Sequence, residues 1–181
     1  MPTKNKQPDA VALLKADHRA VESLFAKFSK ARDAQTKKSL ATEICTQLSV
    51  HAQIEEEIFY PACKANVEED LLHEAYVEHD GAKVLIAELA GSDPSDEFYD
   101  AKMTVLCEQI KLHVREEEKP GEGTFAQARE AGIDMETLGN QLRARKQELL
   151  GEIKRNGLPP PETRSFTGHK MNQGEPLEAT A

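Results

Sequence analysis

The sequence predicts an all-α protein, an antiparallel up-down-up-down four-helix bundle with an additional C-terminal helix and a disordered tail. Three observations predict it. Apolar residues recur at three- and four-residue spacing through most of the chain. Gly and Pro punctuation is sparse before Gly81. The first half also echoes the second: Gln47-Leu48-Ser49-Val50-His51 matches Gln109-Ile110-Lys111-Leu112-His113.

Residues 1–8 are polar and read as a flexible N-terminus. From Asp9 to about Ala31, Val11, Leu14, Val21, Leu24, Phe25 and Phe28 mark a first helix that carries His18. A second helix runs from about Lys37 to Tyr60, with Leu40, Ile44, Leu48, His51, Glu55 and Ile58 on one stripe. Pro61 stands near its end, where a helix stops or kinks. A third, about Glu68 to Leu89, carries His73, Tyr76 and His79 with Leu72, Val84, Leu85 and Leu89. Gly91-Ser-Asp-Pro94 ends it, with Ser92 or Asp93 able to cap the next helix and Pro94 at its first position. That fourth helix runs from about Pro94 to Glu118 and carries Phe98, Val105, Leu106, Ile110, His113 and Glu117. Pro120-Gly-Glu-Gly123 closes it.

The bundle thus occupies residues 9–120. A helical extension occupies 121–156, with a turn near Phe125–Ala131 and a helix from about Asp134 to Lys154. Residues 157–181, opening with Leu-Pro-Pro-Pro161, are too polar and Pro-rich to bury much and read as a disordered tail.

A net charge of −9 disfavours nucleic acid or an anionic membrane surface as a main partner. No apolar run approaches the roughly 20 residues that span a bilayer. The first eight residues lack the apolar stretch of a secretory signal. Cys45, Cys63 and Cys107 are odd in number and lack metal-finger spacing, so reduced thiols in the cytoplasm are expected.

The chemistry lies in two His-x-x-x-Glu pairs, His51 with Glu55 and His113 with Glu117. Residues four apart share a helix face, so each pair aims an imidazole and a carboxylate the same way. Each pair follows another histidine at almost equal distance: His18 to His51 is 33 positions, His79 to His113 is 34. Folding the two hairpins together brings all four histidines towards one level. Any one of these residues alone is more often an ordinary core or surface side chain. Burying four histidines and two glutamates in one bundle without a partner is costly, and a metal removes that cost. Nitrogen and carboxylate donors suit Fe, Mn or Zn. Zinc is content with four ligands. The surplus of hard donors favours two Fe ions with an oxide or hydroxide bridge over Zn or Mn.

The order His … His-x-x-x-Glu … His … His-x-x-x-Glu resembles the hemerythrin-like (HHE cation-binding) family. The strings Asp17-His18-Arg19, His51-Ala-Gln-Ile-Glu55 through Pro61, Glu78-His79-Asp80 and His113-Val-Arg-Glu-Glu117 carry the likeness. The resemblance implies an antiparallel four-helix bundle around a non-haem di-iron site. His18 and His51 would bind one iron, His79 and His113 the other, and Glu55 and Glu117 would bridge. It also implies small ligands: O2, peroxide or NO, or iron itself. Oxygen-carrying members have a further histidine one turn before the third-helix ligand, where this chain has Ala75. That disfavours reversible oxygen carriage and leaves room for peroxide breakdown or ferrous oxidation.

Tyr76, three residues before His79, is a candidate additional ligand, though a half-buried core tyrosine is the commoner outcome. Tyr60, five residues after Glu55, fits the stripe less well unless a bend at Pro61 redirects it. Glu56, Glu57, Glu116 and Glu118 read as solvated, and so do His73 and His169. Other functional readings remain open: a metal- or redox-responsive sensor that uses the C-terminal helix and tail, or a plain helical interaction domain. A ferritin-type centre fits less well, because such bundles use Glu-x-x-His pairs. Whether the chain is a monomer or a dimer is open.

Overall fold

The computed structural model describes residues 7–166. All regular structure among them is helical: α1 (Ala10–Phe28), α2 (Ala34–Ile54), a π-helical turn (Glu55–Phe59), α3 (Tyr60–Cys63), α4 (Glu69–Ala90), α5 (Tyr99–Glu117), α6 (Thr124–Glu130) and α7 (Met135–Asn156). Helices α1, α2, α4 and α5 form the bundle, with α1 packed on α2, α4 on α5 and α2 on α4.

The starts of the helices follow local chemistry. Asp9 caps α1 by accepting from the Ala12 N–H at 2.9 Å. Asp33 caps α2 through Thr36 at 2.8 Å. Asp134 caps α7 through Glu136 and Thr137. Each carboxylate satisfies N–H groups that the first helical turn leaves open.

Two boundaries differ from the sequence expectation. The fourth bundle helix begins at Tyr99, not Pro94. Asp93 does not cap a helix there; it accepts from the Ser95 N–H at 3.1 Å and the Ser95 hydroxyl at 2.7 Å, and so folds a local turn. Phe98 is consequently exposed, ahead of the helix. At Pro61 the helix neither stops nor breaks. A proline clashes with the carbonyl four residues before it, and the preceding π turn widens the backbone at that place. Helical structure then continues to Cys63. Val84 and Val105, expected on apolar stripes, face solvent.

Two apolar clusters flank a polar layer. One holds Leu14, Val50, Ile54, Phe59 and Phe125, and α7 adds Leu138, Leu142 and Leu149 to it. The other holds Val21, Phe25, Ile44, Leu48, Ile86 and Leu106. Helix α7 lies against α1 and α2. Gly139 permits that approach, since a Cβ there would stand 2.7 Å from the Ala10 nitrogen.

Residues 157–166 form no helix but touch the bundle. Leu158 packs against the second cluster. Asp80 accepts from the backbone N–H groups of Arg164 and Ser165 and from the Ser165 hydroxyl. The rest of the expected tail (167–181, with His169) and most of the expected flexible N-terminus (1–6) lie outside the described residues.

Candidate metal centre

The polar layer consists of His18 on α1, His51 on α2, His79 on α4 and His113 on α5, together with Glu55 and Glu117. All six are buried. Their arrangement is nearly twofold. The Nε2 atoms of His18 and His51 are 3.0 Å apart, and those of His79 and His113 are 3.3 Å apart. Glu55 Oε2 lies 3.2 Å from His51 Nε2 and 3.4 Å from His79 Nε2. Glu117 Oε2 lies 3.4 Å from His18 Nε2 and 3.4 Å from His113 Nε2. Each carboxylate therefore stands between one histidine of each pair.

Two groups of side chains could each enclose an ion: His18, His51, Glu55 and Glu117, and Glu55, His79 and His113, with donor atoms within 4.8 Å of one another. Glu55 belongs to both. Four buried polar atoms in this layer have no hydrogen-bond partner: Asp17 Oδ2, His51 Nδ1, Glu55 Oε1 and Glu117 Oε2. Asp17 Oδ2 and His51 Nδ1 face each other at 3.5 Å; the Glu55 and Glu117 oxygens are costly left this way, and a cation beside them removes that cost. The donor set and its unpartnered oxygens thus fit a pair of metal ions.

Every histidine also has a carboxylate facing its Nδ1, at hydrogen-bond distance for three of the four. Glu118 lies 2.8 Å from His18 Nδ1, Glu56 3.0 Å from His79 Nδ1 and Glu78 2.8 Å from His113 Nδ1. Asp17 is looser, 3.5 Å from His51 Nδ1. A carboxylate at Nδ1 fixes the ring and leaves Nε2 free to bind a metal. These contacts close a ring around the bundle: α1 holds the histidine of α2, the π turn that of α4, α4 that of α5, and the end of α5 that of α1. Glu56 and Glu118, expected to be solvated, instead hold the His79 and His18 rings. Glu57 is half-exposed and pairs with Arg145.

A sequence signal for them existed. Asp17 and Glu78 each precede the first histidine of a hairpin, and Glu56 and Glu118 each follow the carboxylate that ends it. The repeat that relates the hairpins relates these acids too.

Cations sit behind three of the four outer carboxylates. Lys146 of α7 bonds Asp17, Lys83 bonds Glu56 at 2.7 Å, and Arg19 bonds Glu118. Burial pushes the Asp17, Glu56 and Glu118 carboxyls up, but the histidines they face (His51, His79 and His18), with these cations behind, outweigh it and hold them below the ordinary range. Burial likewise disfavours the charged imidazoles, yet Glu117, Glu78 and Glu55 hold His113 well above its usual value. Glu117 is held well below the carboxylate range; burial opposes this, and His113 and His18 outweigh it.

Tyr76 does not meet the ligand atoms. It packs edge-on against Tyr60 at 5.3 Å and under the Arg164 guanidinium at 4.8 Å. Tyr60 takes the place proposed for it. Its hydroxyl donates to Glu117 Oε1 at 2.9 Å and lies 3.4 Å from His79 Nε2 and 3.5 Å from Glu55 Oε2. The π turn is the reason. Its hydrogen bonds run five residues back, as from the Tyr60 N–H to the Glu55 carbonyl. A residue five after Glu55 then falls on the same face, where an α-helix would turn it aside.

The remaining candidates are ordinary. His73 is exposed beside Glu69. Burial pushes the Cys45 thiol to about 11 and the Cys63 thiol to about 12, so both act as small core residues.

Site and fold define a bundle-borne cation-binding domain. The Hemerythrin HHE cation binding domain profile matches residues 9–120, and the chain belongs to that family. In fold it is similar to a crystal structure of a Hemerythrin HHE cation binding domain-containing protein from Mycobacterium kansasii, with a TM-score of 0.69 and 23% identity over 84% of this chain and 96% of that one. It is also 28% identical over 106 residues to a DNA nickase of Nostoc sp., a match covering 59% of this chain. The chain spans only 30% of that relative's length. Among the described residues, no helix is long and apolar enough to cross a membrane.

Proposed function

We propose that His18, His51, His79, His113, Glu55 and Glu117 hold two iron ions and that this centre reacts with a small oxidant, with peroxide, O2 and NO as the class. One observation carries the choice of class. A small cavity of about 20 Å³ adjoins all four histidines and is walled mainly by Val21, Leu48, Ala82, Ile86 and Ile110. Such a space takes one molecule about the size of water and excludes larger substrates.

Iron fits the reaction better than zinc: two histidines and two shared carboxylates would give each ion four protein donors, which would complete a tetrahedral zinc but leave an iron positions open for a small ligand. When bound, iron supplies the one-electron redox chemistry that the side chains lack. The protein's own part is positional. The outer carboxylates fix the four rings. The apolar wall keeps bulk water from the cavity. Burial and the neighbouring carboxylates raise the Tyr60 phenol well above its usual value, so it keeps its proton at Oη, directed at Glu117 Oε1. Ala75 is buried and offers no donor where oxygen carriers have histidine, which favours turnover over reversible carriage.

The test is anaerobic loading with ferrous iron, followed by metal analysis and exposure to hydrogen peroxide, O2 and NO separately. Two irons per chain and consumption of at least one oxidant are expected. Less than one iron per chain, or a loaded protein inert to all three, overturns the proposal.

A second reading, a metal- or redox-responsive sensor, is favoured by one contact. Arg164 Nε lies 3.6 Å from Glu56 Oε2, and Glu56 orients His79. Loading that alters proteolysis of residues 120–181 without oxidant turnover supports the sensor. The net charge of −9 speaks against nucleic acid as a partner, so the nickase likeness is not carried to this chain. The unpaired, buried Cys45 and Cys63 suit a reducing compartment such as the cytoplasm.

A further inference from the structure

Three of the four outer carboxylates have a lysine or arginine behind them, and the fourth does not. At Glu78 the neighbour is another acid, Glu116, which lines the same cleft. Glu74 lies beside them, one turn before Glu78 on α4. Among the described residues, the ion pairs of Glu74, Glu78 and Glu116 include no lysine or arginine; Glu78 faces only the His113 ring that it orients, and the pull of Arg115 on Glu116 is smaller than the effects of burial, Glu78 and Glu74.

A cleft also reaches towards the centre at this corner. A narrow cleft of about 10 Å³ is bounded by Glu74, Ala75, Glu78, His113, Glu116 and Glu117. It adjoins a wider surface cleft of about 350 Å³ that shares Glu74 and Glu116 and adds Glu68 and Glu122. Lys119 is the one basic residue on the wider cleft, and it is paired with Glu122. At the inner end stands Glu117, whose side chain is 2% exposed and whose Oε2 has no hydrogen-bond partner. The small side chain of Ala75 leaves the gap; a histidine there, as in the oxygen carriers, would fill it.

We infer that this acid-lined cleft is the port through which a divalent cation reaches the centre, with Glu74 and Glu116 as a transient docking site for the ion. The chemistry is that of hard oxygen donors and an unbalanced negative field. A hydrated cation collects in the wide cleft, exchanges water for the Glu74 and Glu116 carboxylates, and passes Ala75 to the unpartnered oxygen of Glu117. The narrow cleft has room for about one water-sized particle, so the ion passes with most of its hydration shell removed. Carboxylates on the way replace the lost water. Clefts lined by one sign of charge raise the arrival rate of the opposite ion, an effect that salt weakens.

The inference rests on the proposed metal centre, and the test separates the two. Metal-free full-length protein is mixed anaerobically with ferrous iron. A chromogenic ferrous chelator then traps unbound ion at successive times. Glu74→Gln/Glu116→Gln is compared with wild type and with Glu43→Gln/Glu108→Gln, which removes the same charge from exposed sites elsewhere on α2 and α5. The cleft variant is expected to load about tenfold more slowly at low salt, with the final iron content of wild type. The control variant is expected to load at nearly the wild-type rate, and the gap is expected to narrow at high salt. Equal rates for the cleft variant and the control overturn the port. So does unchanged loading with slowed oxidant consumption, which would make the cleft an oxidant path instead. A wild type that takes up no iron sinks the metal centre itself.

Discussion

Replacing Tyr60 with Phe isolates one atom of the centre. The ring contacts to Phe59, Tyr76 and His79 remain, and only the hydroxyl is lost. That hydroxyl donates to Glu117 Oε1, the carboxylate whose other oxygen already lacks a partner. A buried hydrogen bond to an ionised group contributes about 1.5–3 kcal/mol. The metal-free variant should therefore lose about 2 kcal/mol, or about 4–8 °C in melting temperature for a chain of this size. With iron bound, Glu117 has the metals as partners, so the loss should shrink to less than half. The assay is thermal and urea unfolding of wild type and Tyr60→Phe, each metal-free and iron-loaded. Equal losses in both forms would show that Tyr60 does not act through Glu117. No loss in the metal-free form would refute the hydrogen bond itself.

Substituting His51→Ala with Glu55→Gln should bring iron content below one per chain and abolish the rise in melting temperature on loading, measured by metal analysis and calorimetry. The metal-free protein should be most stable between the ordinary carboxylate and imidazole values, 4.5 and 6.5. The depressed acids Glu56, Glu117 and Glu118 lose their contribution as pH falls through their lowered folded-state values. The raised His18, His79 and His113 lose theirs as pH climbs through their elevated ones. Metal binding needs neutral imidazole, so the stabilisation on loading should grow from pH 6 to pH 8; a gain that falls over that range would contradict it. Gly123→Ala should destabilise by about 1–3 kcal/mol in urea unfolding and reduce iron content, because the new Cβ would stand 2.4 Å from the Glu116 carbonyl and 2.5 Å from that of Glu117. Asp80→Asn should weaken the hold on residues 157–166 and speed tryptic cleavage after Arg164 with little change in melting temperature; an unchanged cleavage rate would show that Asp80 does not anchor them.

The bundle was legible because its signal is periodic. His18, His51, His79 and His113 fall on apolar stripes, and the hairpins repeat. What escaped depends on backbone details that a period does not encode. Ser92-Asp93-Pro94 has capping chemistry, which points to a fourth helix five residues early, whereas Asp93 Oδ1 instead closes a turn on Ser95. Tyr60 was ranked below Tyr76 because an α-helical register separates it from Glu55. A single π turn reverses that ranking, and it follows from accommodating Pro61 in a helix that packing keeps intact. Glu56 and Glu118 looked like surface charges because an acid next to a buried acid usually turns outward. Here each turns to the neighbouring helix, where a histidine nitrogen awaits it. Such pairings across helices become visible only when the hairpins are superimposed on one another as a repeat.

The closed ring of carboxylate-to-histidine contacts has a consequence for how the chain comes to hold metal at all. Each helix orients its neighbour's imidazole, so no helix carries a complete, pre-aimed donor. A slip of one helical turn, about 5.4 Å, would break two of the four contacts at once. A chain with one hairpin formed and the other loose therefore offers scattered weak donors and no pair of enclosures. Capture of metal would then act as a proofreading step on assembly, since an ion would be retained only by the arrangement in which all four long helices are in register. If the proposed function holds, nascent or damaged chains would keep no metal, and any chemistry of the centre would begin only in a finished fold.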